Sequence, residues 1–236
     1  YASADTTLSW TGVDNAGATG TFEACSLDAN SAGNVFVAID DAGNTDIRVF
    51  NSSAGTFASS TSVTAYSTAV NDLHLSIRSY EILITAVDTN GDLVVMNSSN
   101  NGSSYTSTVL TGTYSEAEGC IDEYGRYHLA VSDGSDIDYV QFSNGQFGDF
   151  FTIADTSSAL RYPSVRCSNF PTNNRIDVNE LELVYTDVDN TEIYFANFTV
   201  PVNDSIFGSP QVTIVSPSST SYSTSYINFT FILNEP

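Results

Sequence analysis

The side chains able to do chemistry in this chain are few, and most are acidic. Asp88-Thr89-Asn90-Gly91-Asp92 places oxygen donors at every second position, as the opening of a calcium loop does. The sixth loop position, normally glycine, is Leu93, and the twelfth, normally a bidentate glutamate, is Ser99. Asp187 and Asp189, with Glu192, form a similar group. Asp and Asn also occupy hairpin turns because their side chains cap nearby N–H groups, and that backbone role is preferred here. The expectation is therefore no cofactor, with calcium the one metal candidate, at Asp88, Asn90, Asp92, Asp187 and Asp189. His74 and His128 are the two histidines, and both are expected to be satisfied structural residues. No Gly-x-Ser-x-Gly occurs, so a serine nucleophile on a strained elbow is absent. Carboxylates for glycoside hydrolysis are plentiful, but nothing singles out a pair. Arg161 and Arg166 enter one strand together, where they could face a channel. The chain is expected not to be an enzyme.

Charge narrows the partners. Against 6 Lys+Arg, all arginine, stand 28 Asp+Glu, for a formal net charge of −22 over 236 residues. Nucleic acid would be repelled. With no lysine, a phosphate-binding P-loop, a Schiff base and a lysine-rich membrane patch are excluded. No apolar run reaches the roughly 18 residues of a membrane helix, so no membrane insertion is expected. Tyr1-Ala2-Ser3-Ala4-Asp5 lacks an initiator Met and a basic, apolar leader, as a processed N-terminus would.

Sequons point outside the cell. Asn51, Asn97, Asn101, Asn197, Asn203 and Asn228 each begin Asn-x-Ser/Thr without proline in the middle, so an extracellular or cell-surface glycoprotein is expected. Asn51, Asn97 and Asn197 fall at one repeat position, expected just after a strand where the chain turns outward. Cys25, Cys120 and Cys167 permit one disulfide and leave one thiol; their spacing fits no zinc pattern. The bridge is expected between Cys167 and either Cys120 or Cys25.

The elements that must position these residues repeat. Thr45 to Asn51, Gly91 to Asn97, Ile137 to Ser143 and Thr191 to Asn197 align on Asp46, Asp92, Asp138 and Glu192, which stand 46, 46 and 54 residues apart. Each is preceded by an apolar run (Val35 to Ile39, Ile82 to Val87, Tyr127 to Val131, Leu181 to Tyr185) and an acidic Gly- or Asn-containing turn. Apolar runs joined by short polar turns are hairpins. With a strand before each pair, containing Cys25, Leu75, Cys120 and Cys167, and another after, each repeat has four antiparallel strands. The near-continuous second strand is then covered on both faces. A period near 46 with this content predicts an all-β fold, a β-propeller of four, or at most five, four-stranded blades over residues 1–208. A strand at Thr7-Leu8-Ser9-Trp10 is free to help close the ring.

Residues 18 to 205 resemble extracellular propellers of the sialidase-like, Asp-box kind. The box, Ser-x-Asp-x-Gly-x-x-Trp, has its best counterpart in Ser98-Ser99-Asn100-Asn101-Gly102-Ser103-Ser104-Tyr105, with Asn for Asp and Tyr for Trp. Echoes occur at Asn51 to Phe57 and Ser143 to Phe147. The resemblance implies blade geometry. It does not imply sialidase activity, because the arginine triad and the Tyr/Glu nucleophile pair of that family do not align here.

Residues 209–236 form a separate C-terminal arm, with strands at Gln211 to Val215 and Ile227 to Leu233. The arm resembles the opening of an Ig-like module of prokaryotic, especially archaeal, surface proteins. Two strands do not make a domain. Ile227, Phe229, Phe231 and Leu233 alternate onto one face, and burying them would contribute on the order of 6–12 kcal/mol before ordering costs. The parent propeller, further Ig strands or a neighbouring molecule would each cover that face. The leading expectation is a glycosylated structural protein that self-assembles into a filament or lattice by strand donation through Val212, Ile214, Ile227, Phe229, Phe231 and Leu233. The alternative is a lectin or enzyme of the sialidase-like propeller kind that binds or cleaves glycans at the channel mouth, which an aromatic-lined, arginine-bearing pocket would favour. On the assembly expectation, Phe229→Asp with Phe231→Asp abolishes polymers in negative-stain images while the propeller stays folded; unchanged polymers would count against it.

Overall fold

In the computed structural model, residues 22–41, 46–52, 62–122, 124–156, 158–167 and 178–201 are described. They contain fifteen strands and no helix. The first sheet holds β1 (Phe22–Ala29), β2 (Val35–Asp41), β3 (Asp46–Ser52) and β4 (Ser62–Tyr66). The second holds β5 (Val70–Arg78), β6 (Glu81–Asp88), β7 (Leu93–Ser98) and β8 (Thr106–Leu110). The third holds β9 (Glu116–Ile121), β10 (Tyr127–Ser132), β11 (Asp136–Ser143) and β12 (Gln146–Asp155). Three strands of a fourth are described, β13 (Leu160–Cys167), β14 (Val178–Asp187) and β15 (Glu192–Pro201). Every pairing is antiparallel between chain neighbours, so each sheet is a meander. β1 packs on β5, β5 on β9 and β9 on β13, and all four of these first strands line one central pocket. These are propeller blades with their first strands innermost.

The apolar second strands have a two-sided role. On β6, Ile82, Ile84 and Ala86 join Phe36 and Ala38 of the first blade, while Leu83 and Val87 join Leu129 and Val131 of the third. Successive residues point to opposite faces, so a strand covered on both sides must be apolar at every position. The third interface repeats the scheme with Ala130, Ile137 and Tyr139 against Val165, Leu181 and Leu183.

An inner strand pairs with its own blade along one edge only, leaving the other edge without a ladder. Side chains of the preceding blade fill that gap. Ser26 Oγ and Asp28 Oδ2 accept the Leu75 and Ile77 N–H groups at 3.0 and 2.7 Å. Asp72 Oδ2 accepts the Ala117 N–H at 2.8 Å, and Glu116 Oε2 the Tyr162 N–H at 2.6 Å. Much of the acidity inside the propeller therefore bonds one blade to the next.

The hairpin Asp and Asn residues act on backbone, as anticipated. Asp88 Oδ1 accepts the Asn90 and Asp92 N–H groups at 2.8 and 3.0 Å, and Asp92 Oδ1 that of Gly112 at 3.0 Å. The sequons correct one expectation. Asn51, Asn97 and Asn197 lie within β3, β7 and β15, not beyond them, because the ladders continue through these positions. The N-terminal strand at Thr7 to Trp10, the 208/209 boundary, Asn203, Asn228 and all six assembly residues (Val212, Ile214, Ile227, Phe229, Phe231, Leu233) lie outside the described residues.

Gly119 tests how closely the second and third blades approach. A Cβ there would stand 2.8 Å from Leu83 Cδ2 and 2.9 Å from Thr85 Cγ2. Gly119→Ala is predicted to destabilise the fold by about 1–3 kcal/mol, through overpacking. A lowered urea midpoint checks this; an unchanged midpoint contradicts it.

Candidate functional site

The most developed site is an open pocket of about 960 Å³ between the second and third blades. Its floor begins with a turn built on Asp122, which is fully buried. Asp122 Oδ1 accepts the Tyr124 and Arg126 N–H groups at 2.8 and 2.9 Å, and Oδ2 accepts Arg126 Nε–H at 2.6 Å. Gly125 takes φ +76° to close the turn. Burial opposes ionisation of Asp122, but hydrogen bonds from His128 and Arg126 outweigh it and hold the carboxyl at about 2. The same carboxylate fixes the histidine. His128 is fully buried and kept neutral by burial, so Nε2–H donates to Asp122 Oδ2 at 3.0 Å and Nδ1 accepts from the Tyr139 hydroxyl at 2.7 Å. That histidine is structural.

The turn presents Tyr124, about half exposed, with the Arg126 guanidinium 5.7 Å from its ring centroid. Beside them the Tyr127 hydroxyl donates to Glu81 Oε2 at 2.8 Å, across the blade boundary. Asn97 Oδ1 accepts the Thr106 hydroxyl at 2.8 Å. Gln141 and Asn144 complete the polar wall. An exposed aromatic face, a planar cation and several amides can together bind a ring bearing many hydroxyls. Among the described lining residues Glu81 is the one carboxylate.

Of the site residues named from sequence that are described, only Asn97 reaches this pocket. Asn101 sits at the tip of the next turn, at φ +58°, accepting from Asn30 Nδ2 at 3.4 Å. Asn197 is half-buried on β15, and nothing is described of the Asn51 side chain. The Asp-box counterpart is a turn lock: Ser98 Oγ accepts the Gly102 N–H at 3.0 Å and Asn100 Oδ1 the Ser104 N–H at 3.0 Å, seating Tyr105 against the first interblade core. Asp187 Oδ1 accepts the Asn190 N–H at 3.0 Å and Asp189 Oδ2 that of Ala159 at 2.9 Å. Among the described residues no three His, Cys, Asp or Glu side chains gather as a metal site. Tyr124, Arg126, Glu81 and Gln141 carried no sequence signal beyond the polar Gly125 turn, because the wall forms only where Glu81 of the second blade meets Tyr127 of the third.

The inner seam holds the remaining candidates. Cys120 and Cys167 are bridged, with Cα atoms 5.7 Å apart, and Cys25 is an exposed thiol. Arg161 pairs with Glu116 at 3.4 Å, and Arg166 lines the central pocket of about 670 Å³ with Asp28, His74 and Arg78. Glu118 joins three blades: its Oε1 accepts the Ser164 hydroxyl at 3.0 Å and lies 3.5 Å from His74 Nε2.

No family model matches this chain, and no curated protein matches it. Among solved structures it is similar to a mutant of the Aleuria aurantia lectin in complex with Fucα1-6GlcNAc, with TM-score 0.48 and 15% identity over 82% of this chain and 66% of the lectin. It is similar to NanB, solved with Optactamide, with TM-score 0.48 and 11% identity over 75% of this chain and 30% of that one. The WD40 domain of SCAP from fission yeast gives 0.49 and 11% over 89% of this chain and 51% of that one. The chain thus spans no more than 66% of the length of any of the three.

The Glu118–His74 contact sets a pH signature. Burial pushes the Glu118 carboxyl from 4.5 up to about 7, with Asp72 adding to the rise against bonds from Ser164 and the Val165 N–H. Burial pushes His74 from 6.5 down to about 4, against Asp28 and Gly119. Stability from Glu118 is full below pH 4.5 and lost as pH rises through 7; stability from His74 is present above 6.5 and lost as pH falls through 4. Between pH 4.5 and 6.5 the two slopes oppose each other. Glu118→Gln is therefore predicted to gain stability relative to the wild type as pH rises across that window, and His74→Asn to lose it. Each slope is on the order of 1 kcal/mol per pH unit, from urea titrations. Slopes of one sign in both variants would contradict the assignment.

Proposed function

We propose that this chain is a carbohydrate-binding β-propeller, secreted or displayed at the cell surface, with its saccharide seat between the second and third blades. The carrying observation is the pocket itself, where Tyr124, Arg126, Tyr127 and Glu81 converge with Asn97 and Gln141. An aromatic-lined, arginine-bearing pocket is the feature expected of a glycan-binding propeller as opposed to an assembly unit, although it lies between two blades here and not at the channel mouth where glycans were expected. Asp122 already neutralises Arg126 at 2.6 Å, and Glu81 brings a further negative charge, so a neutral saccharide fits better than an acidic one. The Cys120–Cys167 bridge supports an oxidising compartment. The self-assembly reading rests on residues outside those described and gains no support from this geometry.

A glycan array followed by calorimetry tests the proposal. Neutral saccharides are expected to bind, and Tyr124→Ala to weaken the best of them at least tenfold, about 1.4 kcal/mol, with the circular dichroism spectrum unchanged. Absence of binding across the array, or binding indifferent to Tyr124→Ala, would overturn it.

A further inference from the structure

The residue that N-glycosylation would modify lines the saccharide pocket. Asn97 begins the sequon Asn97-Ser98-Ser99, yet it sits within β7, half-buried in the pocket wall. Its Oδ1 is held by the Thr106 hydroxyl at 2.8 Å. Beside it in the same wall the Tyr127 hydroxyl donates to Glu81 at 2.8 Å. A sugar on this side chain therefore begins in the wall of the pocket that Thr106, Tyr127, Gln141, Tyr124 and Arg126 also line. The neighbouring sequon, Asn101-Gly102-Ser103, stands on a turn tip, so the two differ in outlook although four residues apart.

Resting on the carbohydrate-binding reading, we infer that Asn97 is a modification site whose own glycan occupies the pocket, so that Asn97 occupancy decides whether the pocket accepts free saccharide. The reaction joins Asn97 Nδ2 to the anomeric carbon of a lipid-linked oligosaccharide. The bond from that carbon to the lipid phosphate breaks, the phosphate leaves with its electron pair, and Nδ2 gives up one proton. Asn97 is held in the β7 ladder opposite Leu83, and its Oδ1 is bonded to Thr106, so the transfer takes place before this blade closes. The pocket then folds around a sugar that is tethered at very high effective concentration. A free ligand competes with it at a disadvantage.

The test uses the intact chain secreted from a host that N-glycosylates, with the same chain from the periplasm of a bacterium that does not. Site-resolved glycopeptide mass spectrometry is expected to find a glycan on Asn97. In the native protein that glycan should resist an amidase that removes N-glycans at least tenfold longer than the Asn101 glycan, and Tyr124→Ala should shorten the protection. The unglycosylated chain should bind the best array saccharide at least tenfold more tightly than the Asn97-modified one. An unmodified Asn97, release as fast as at Asn101, or equal affinity of the two forms overturns the inference. If the unglycosylated chain binds no saccharide while the Asn97 glycan stays protected, the lectin reading fails and only the tethered occupancy stands.

Discussion

The inner strand of each blade has one edge with no ladder, and satisfying that edge organises the propeller. An unpaired N–H facing a closed seam costs as much as a lost hydrogen bond, and a charged acceptor contributes about 1.5–3 kcal/mol. Ser26, Asp28, Asp72 and Glu116 supply acceptors from the preceding blade. These contacts are directional, unlike the apolar layers behind them, so they fix how each inner strand sits beside the next. A net charge of −22 is in this sense partly architectural.

Tying blades at their inner strands leaves the outer strands free to diverge. Between the second and third blades the apolar layer of Leu83, Leu129 and Phe142 gives way outward to Glu81, Asn97, Thr106 and Gln141. The pocket arises there, where polar side chains meet across a gap instead of a core. Its chemistry depends on Asp122, whose carboxylate holds the Tyr124–Arg126 turn from one side and His128 from the other. The buried histidine thus serves the site only by holding Asp122 in place. At the third interface, where the seam approaches Cys120, a disulfide to Cys167 adds a covalent tie to the same kind of contact.

The repeat, the hairpins and the two-faced second strands were legible because they are local. Alternation over five to eight residues and turn residues at fixed offsets specify them without knowledge of the neighbours. The backbone roles of Asp88 and Asp187 were legible for the same reason. Seam and pocket were not. Ser26 meets Leu75, and Glu81 meets Tyr127, across 49 and 46 residues, and no local pattern marks such pairs. The bridge was left open between Cys120 and Cys25 because all three cysteines lie on inner strands, and only the order of blades around the axis separates the choices. Asn97 was misplaced by a single strand end: nothing in Met96-Asn97-Ser98 breaks a ladder, so the strand runs on and carries the asparagine inward.

The central claim is that saccharide is held between blades and not in the channel at the axis, and a nitrogen-detected NMR titration separates the two through the arginine side chains. With the unglycosylated chain and the best-binding neutral saccharide, the account predicts saturable shifts of Arg126 Nε–H and of the Tyr124 and Gln141 amides, with Arg166 and His74 unmoved. Shifts confined to Arg166, Arg78 and His74, with Arg126 silent, would contradict it.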